Sequence, residues 1–164
     1  MAIWYEVAHT EKGIRDFLDC NWGFHDFTIG RFSFDPEKKT AELFMRYDEN
    51  EGSVLLRFLN VEGMRVEAEV DGGYPVYWIM GSILLLHDNG QFLWIDDDDE
   101  KNPDAARIAK LKACCDWVQA GRIIWAVTDA DGNPMEMPPE KIDQVWHVYE
   151  KEERHHFDLT PYEG

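Results

Sequence analysis

The stretch VYWIMGSILLLHDNGQFLWID, residues 76–96, decides the fold. Two apolar runs flank Asp88-Asn89-Gly90-Gln91. An Asn-Gly pair favours a two-residue type I′ hairpin turn, because both central positions need positive φ and these residues accept it. With Asn89-Gly90 as the loop, Leu86 pairs with Leu93 and Leu84 with Ile95 on one face. His87 then pairs with Phe92, and Leu85 with Trp94, on the other. Both faces are apolar, so the hairpin is expected to be covered on both sides.

Upstream of the hairpin the same period of two continues back to Phe24. Phe27 and Ile29 share one face, and after Gly30 the apolar phase slips to Phe32 and Phe34, the mark of a β-bulge. Asp35-Pro36-Glu37-Lys38-Lys39 forms a turn into the alternating strand of Ala41, Leu43, Met45 and Tyr47. Residues 54–59 are apolar on both faces apart from Arg57, which predicts a central strand. Met64, Val66, Ala68 and Val70 predict a further strand with one wet face. At the N-terminus, residues 3–7 alternate, Thr10 is placed to cap a helix bearing Ile14, Phe17 and Leu18, and Asn21 suits its end.

Downstream, Asn102 and Pro103 predict the start of a helix spanning about 103–120. Its apolar stripe is Ile108, Leu111, Cys115 and Val118, and Gly121 is its stop. Residues 122–128 read as a last strand. Pro134, Pro138 and Pro139 exclude regular sheet beyond it. Residues 140–153 read as a C-terminal helix with Ile142, Val145, Trp146 and Tyr149 on one face, although the alternation of Val145, His147 and Tyr149 also permits a strand. The fold class expected is α+β: a mainly antiparallel sheet, curled or in two layers, with one well-defined helix at about 103–120 and a C-terminal one.

A chain of 164 residues that is 45% hydrophobic and 13% aromatic, with seven tryptophans, fits a single domain over residues 1–164. Sixteen Lys and Arg against 33 Asp and Glu leave a formal charge of −17. That surface repels phosphate backbones and anionic membranes, so neither nucleic acid nor membrane is an expected partner. It attracts a basic protein and speeds encounter with it. The longest apolar run, residues 76–86, is interrupted by Gly81 and Ser82 and is shorter than the about 20 residues a spanning helix needs. Residues 1–13 lack the basic and apolar regions of a signal peptide. Three cysteines, Cys20, Cys114 and Cys115, form no disulfide framework. Cys114 and Cys115 cannot bridge without strain and read as reduced thiols. The expected setting is cytoplasmic.

Each constellation that invites chemistry has a plainer explanation. His25-Asp26 resembles half a catalytic triad, but strand neighbours point to opposite faces and cannot orient each other. His25 and Asp26 therefore read as structural, like Asn89 and Gly90. The acidic run Asp96, Asp97, Asp98, Asp99 and Glu100 lacks the glycine and alternating ligands of a calcium loop. It reads as a solvated or partner-binding surface. Asp129-Ala130-Asp131-Gly132 is a turn. His155-His156 has no Cys or spaced His to complete a zinc set. Dinucleotide, P-loop and serine-hydrolase motifs do not occur. No catalytic residue, metal or cofactor is assigned.

Residues 22–96 resemble a group of small bacterial proteins. The motifs are Phe24-His25-Asp26 opening a hairpin, LRFLNVEGMRVE at 56–67 and GSILLLHDNGQFLWID at 81–96. Some proteins of this F-H-D type are regarded as immunity proteins of polymorphic toxin systems. The resemblance covers under half of the chain. Joined to the charge, it implies a non-enzymatic acidic binding protein that neutralises a basic toxin domain, with Asp96, Asp97, Asp98, Asp99 and Glu100 as the docking face. The alternative is a small enzyme or ligand-binding domain with a cleft near His25, Asp26 and His87.

Overall fold

A computed structural model describes residues 1–21, 24, 27–47, 53–67, 70–71, 74–75, 82–97, 102–146 and 159–164. In chain order the elements are β1 (Tyr5–Glu6), α1 (Glu11–Cys20), β2 (Thr28–Asp35), β3 (Thr40–Arg46), β4 (Ser53–Arg65), β5 (Val70–Asp71) and β6 (Tyr74–Pro75). There follow β7 (Ile83–Leu86), β8 (Phe92–Ile95), α2 (Ala105–Cys114), β9 (Trp117–Thr128), α3 (Pro139–Trp146) and β10 (Thr160–Pro161). Among the described residues, eight strands make one open antiparallel sheet in the order β10-β1-β9-β4-β3-β2, with β8 also on β9 and β7 on β8; β5 and β6 pair separately. This is the expected α+β class. No described helix is long and apolar enough to cross a membrane.

The alternating residues of the meander put one face of the sheet inward. Leu43, Met45, Leu56, Phe58, Ile123 and Trp125 belong to the main core, which α1 joins through Ile14 and Phe17 and α3 through Ile142. Thr10 caps α1 by accepting the Gly13 N–H, at 2.9 Å, and Asn21 closes it. The ladder between β2 and β3 shifts between Ile29 and Arg31, which locates the bulge at Gly30. A Cβ there would lie 2.5 Å from the Phe44 ring, so glycine also permits the close approach.

The hairpin forms, one step out of the expected register. Leu84 pairs with Trp94, Leu85 with Leu93 and Leu86 with Phe92. The loop is Asp88-Asn89-Gly90: the Gly90 N–H closes on the His87 carbonyl at 2.9 Å, and the His87 N–H donates to Gln91 at 2.8 Å. Gly90 takes φ of 82° and Asn89 does not take positive φ, which is a turn followed by a left-handed residue rather than type I′. Register is fixed where one face is wet and the other dry. Here both are dry: Leu84, Phe92 and Trp94 join the main core, while Ile83, Leu93 and Ile95 pack with Leu111 of α2. The alternation therefore could not choose between the two registers. A Cβ at Gly90 meets nothing within 4 Å, so Gly90→Val carries only the backbone penalty of positive φ. We expect a loss of about 1–2 kcal/mol, read as a melting point lower by several degrees, and little loss for Gly90→Asn.

Two further expectations are corrected. The helix expected at about 103–120 is only Ala105–Cys114, capped by Asp104, whose side chain accepts the Arg107 N–H at 2.8 Å. Asn102 is not its cap and Gly121 is not its stop. Trp117 to Ala120 instead begin β9, which pairs with β4 and places Val118 in the main core as a strand residue. The second correction is that residues 54–59 and Met64 are not separate strands. β4 runs from Ser53 to Arg65, with a register shift between Val61 and Gly63 and with Asn60 at φ of 55°. The C-terminal helix covers Pro139–Trp146, and the rest of 140–153 lies outside the described residues.

Tyr5 ties the core to the α3 segment. Its hydroxyl donates to the Met137 carbonyl at 2.6 Å, and burial, aided by Glu140 and Cys20, pushes its ionisation up to about 12 from 10.0. The folded state holds the phenol protonated more firmly than the unfolded chain does. That contribution is fully present below pH 10.0 and is lost as pH rises from there through about 12. Tyr5→Phe should cost about 1–2 kcal/mol at neutral pH and flatten the fall in melting temperature above pH 10.0.

A candidate acidic interface at the end of β8

At the end of β8 the chain leaves the sheet. The Asp96 N–H donates to the Asp116 carbonyl at 3.0 Å, and the Asp97 N–H donates back to Ile95 at 3.0 Å. Both side chains are half-buried. Asp97, expected as part of a solvated or partner-binding surface, faces Arg107 of α2 at 3.9 Å. Asp98, Asp99 and Glu100 lie outside the described residues, so only Asp96 and Asp97 of the acidic run are located.

The structure adds residues that the linear run did not reveal. α2 ends at Cys114, Cys115 caps it with its N–H on Leu111 at 2.7 Å, and Asp116 is only 8% exposed. The Asp116 carboxylate accepts the Glu67 N–H at 2.8 Å and lies 3.9 Å from Arg65. Arg65 also donates to the Cys115 carbonyl at 3.0 Å and to the Glu67 carboxylate at 2.9 Å. Four carboxylates, Glu67, Asp96, Asp97 and Asp116, therefore stand with two guanidiniums, Arg65 and Arg107. Arg65 and Asp116 come together because β4 and β9 are paired at Arg65 and Trp117. They are about 50 positions apart in sequence, and no local pattern announces the pair.

The Cys114 and Cys115 sulfurs lie 3.6 Å apart at this corner. Burial, then the hydrogen bond and charge of Cys114, then Asp97 and Asp96, push the Cys115 thiol up to about 11. It is protonated at neutral pH, which disfavours it as a nucleophile. Among the described residues, no set of three His, Cys, Asp or Glu side chains gathers at metal-ligand geometry.

Three further arginines sit elsewhere. Arg31, Arg57 and Arg122 project from the sheet face opposite the main core, stacked on Phe44, Trp4 and Tyr162 at 5.0, 4.3 and 5.2 Å. Arg57 also meets Glu42 at 3.6 Å and Arg122 meets Glu6 at 2.8 Å. Arg57 is eight positions along β4 from Arg65, about 25 Å at the rise of a strand. The arginine-rich face and the acidic corner are thus distinct regions.

Of the histidine alternative, only His87 lies among the described residues. His87 opens the hairpin turn, while Asp96 lies at the opposite end of β8, about 17 Å away at strand rise. His25 and Asp26 lie outside the described residues. Their neighbour Phe24 has φ of 59° and is buried, and β2 starts at Thr28. Asn89 accepts the Gln91 N–H at 3.1 Å, a turn-forming role.

No protein-family model matches the chain, and neither the curated proteins nor the solved structures contain a match to it.

Proposed function

We propose that the protein is a non-enzymatic binding protein that engages a basic protein through its acidic corner. The observation that carries this reading is the net charge of −17, with Asp96, Asp97 and Glu67 at the joint surface of β8, α2 and β4. A platform made of paired strands and a capped helix loses little ordering entropy on binding. The field accelerates encounter and decays over about 8 Å at physiological salt, so buried anchors must supply the affinity. The F-H-D resemblance supports a toxin-neutralising immunity protein as the specific form, acting in the cytoplasm on a basic toxin domain.

The test is a pull-down from the native organism, followed by association kinetics with the recovered partner. Replacing Asp96, Asp97, Asp98 and Asp99 by Asn, and Glu100 by Gln, should slow association about tenfold or more at low salt. The two rates should converge as salt screens the field. A rate indifferent to both salt and substitution excludes the acidic corner. Turnover of a small molecule, with no partner recovered, excludes the binding reading altogether.

A further inference from the structure

We infer that Cys114 and Cys115 form a binding site for a soft monovalent cation, copper(I), held between two thiolates. The inference does not depend on the protein partner proposed above.

The first observation is spacing. A cation bonded to two thiolates at about 2.3 Å spans sulfurs about 3.8 Å apart when tetrahedral and up to about 4.6 Å when linear. The two sulfurs already stand 3.6 Å apart, so a small rotation of the exposed Cys114 side chain admits the ion. The pair is also held in place. The Cys115 N–H is fixed on Leu111 and its carbonyl on Arg65, while the Trp117 indole N–H donates to the Lys112 carbonyl at 3.1 Å.

The surroundings disfavour oxidation. Cys114 sits in the last turn of α2 and donates to the Lys110 carbonyl at 3.3 Å, at the negative end of the helix dipole. Asp96 and Asp97 add negative charge beside Cys115. Such a field disfavours the thiolate that would attack a peroxide, and it also opposes a bis-thiolate complex of net charge −1, so the soft copper–sulfur bonds must supply the affinity. Binding balances as one copper(I) gained and two protons released to solvent, with no electron transferred. A disulfide between the two is disfavoured as well, because neighbouring Cα atoms are about 3.8 Å apart and disulfides want about 4.4–6.8 Å.

The donor count selects the ion. Among the described residues no third His, Cys, Asp or Glu gathers with the two thiols at metal-ligand geometry, and zinc prefers four ligands. Soft thiolates instead favour copper(I).

The experiment titrates copper(I) anaerobically into the reduced whole chain against bicinchoninate, with excess reduced glutathione present. One equivalent should be retained by the wild type and lost by both Cys114→Ser and Cys115→Ser. Bound copper(I) should also protect Cys114 from alkylation. Cys114 is exposed, so its serine variant keeps the fold, as its circular dichroism should show. Stripping of the wild type by glutathione, or retention by Cys114→Ser, overturns the inference.

Discussion

Replacing Trp125 by alanine should lower the free energy of unfolding by about 3–5 kcal/mol, the range for emptying a large aromatic site in a core. Trp125 sits on β9 with only 1% of its surface exposed. Its ring lies 5.1 Å from Tyr5 and 5.7 Å from Phe17, so it joins β1, α1 and the sheet. Strands on both sides of β9 hold the backbone, which limits collapse into the space left behind. At about 2–4 °C per kcal/mol for a chain of this length, the melting point should fall by roughly 6–20 °C. Trp117, half-buried at the corner, is the comparison, and its alanine variant should lose much less. Equal losses at the two positions would contradict the placement of the core.

Gly13→Ala should destabilise the protein, against the expectation from helix propensity. In an exposed helix the change is worth about 1 kcal/mol in favour of alanine. At Gly13, however, an added Cβ would lie 2.5 Å from the Ala8 carbonyl oxygen and 2.6 Å from the Ala8 Cβ. No rotamer can relieve a clash of Cβ with backbone. The adjustment must move the start of α1 away from the segment after β1, breaking the Thr10 cap on the Gly13 N–H. Overpacking of this kind costs about 1–3 kcal/mol, so after the propensity gain the net change should be a loss of up to about 2 kcal/mol by chemical denaturation. A gain in stability would show that the approach of Ala8 to α1 is not as described.

The sequence is legible where one face of an element is wet and the other dry, and where the residues that cap or bend it are local. Thr10 and Asn21 delimit α1, and Gly30 marks its bulge, because each acts on neighbours within a few positions. Legibility fails where local signals compete with long-range pairing. Cys115, Val118 and Gly121 fit a helix ending at glycine, yet Val118 and Ala120 also alternate, and pairing with β4 over Met64 and Val61 decides for strand. The hairpin register fails for the opposite reason: with core on both faces, neither register is penalised by exposure. The acidic corner is half legible. Asp96 and Asp97 are evident as charge, whereas Asp116, Arg65 and Glu67 meet only through the pairing of distant strands. The burial of Asp116 leaves no trace in the residues beside it.

The long ladder between β4 and β9 has a consequence for how the chain is made. Ser53 pairs with Thr128 and Arg65 with Trp117, so the inner edge of β4 has no partner until synthesis has passed Thr128. At about 5–20 residues per second, the interval between the emergence of the two strands lasts roughly 3–15 s. Throughout it, the β2-β3-β4 meander on the ribosome presents an open, largely apolar strand edge, the template on which neighbouring nascent chains aggregate. Slow decoding between residues 66 and 116 should therefore reduce soluble yield, while supplying residues 117–128 early, as in a circularly permuted gene, should restore it.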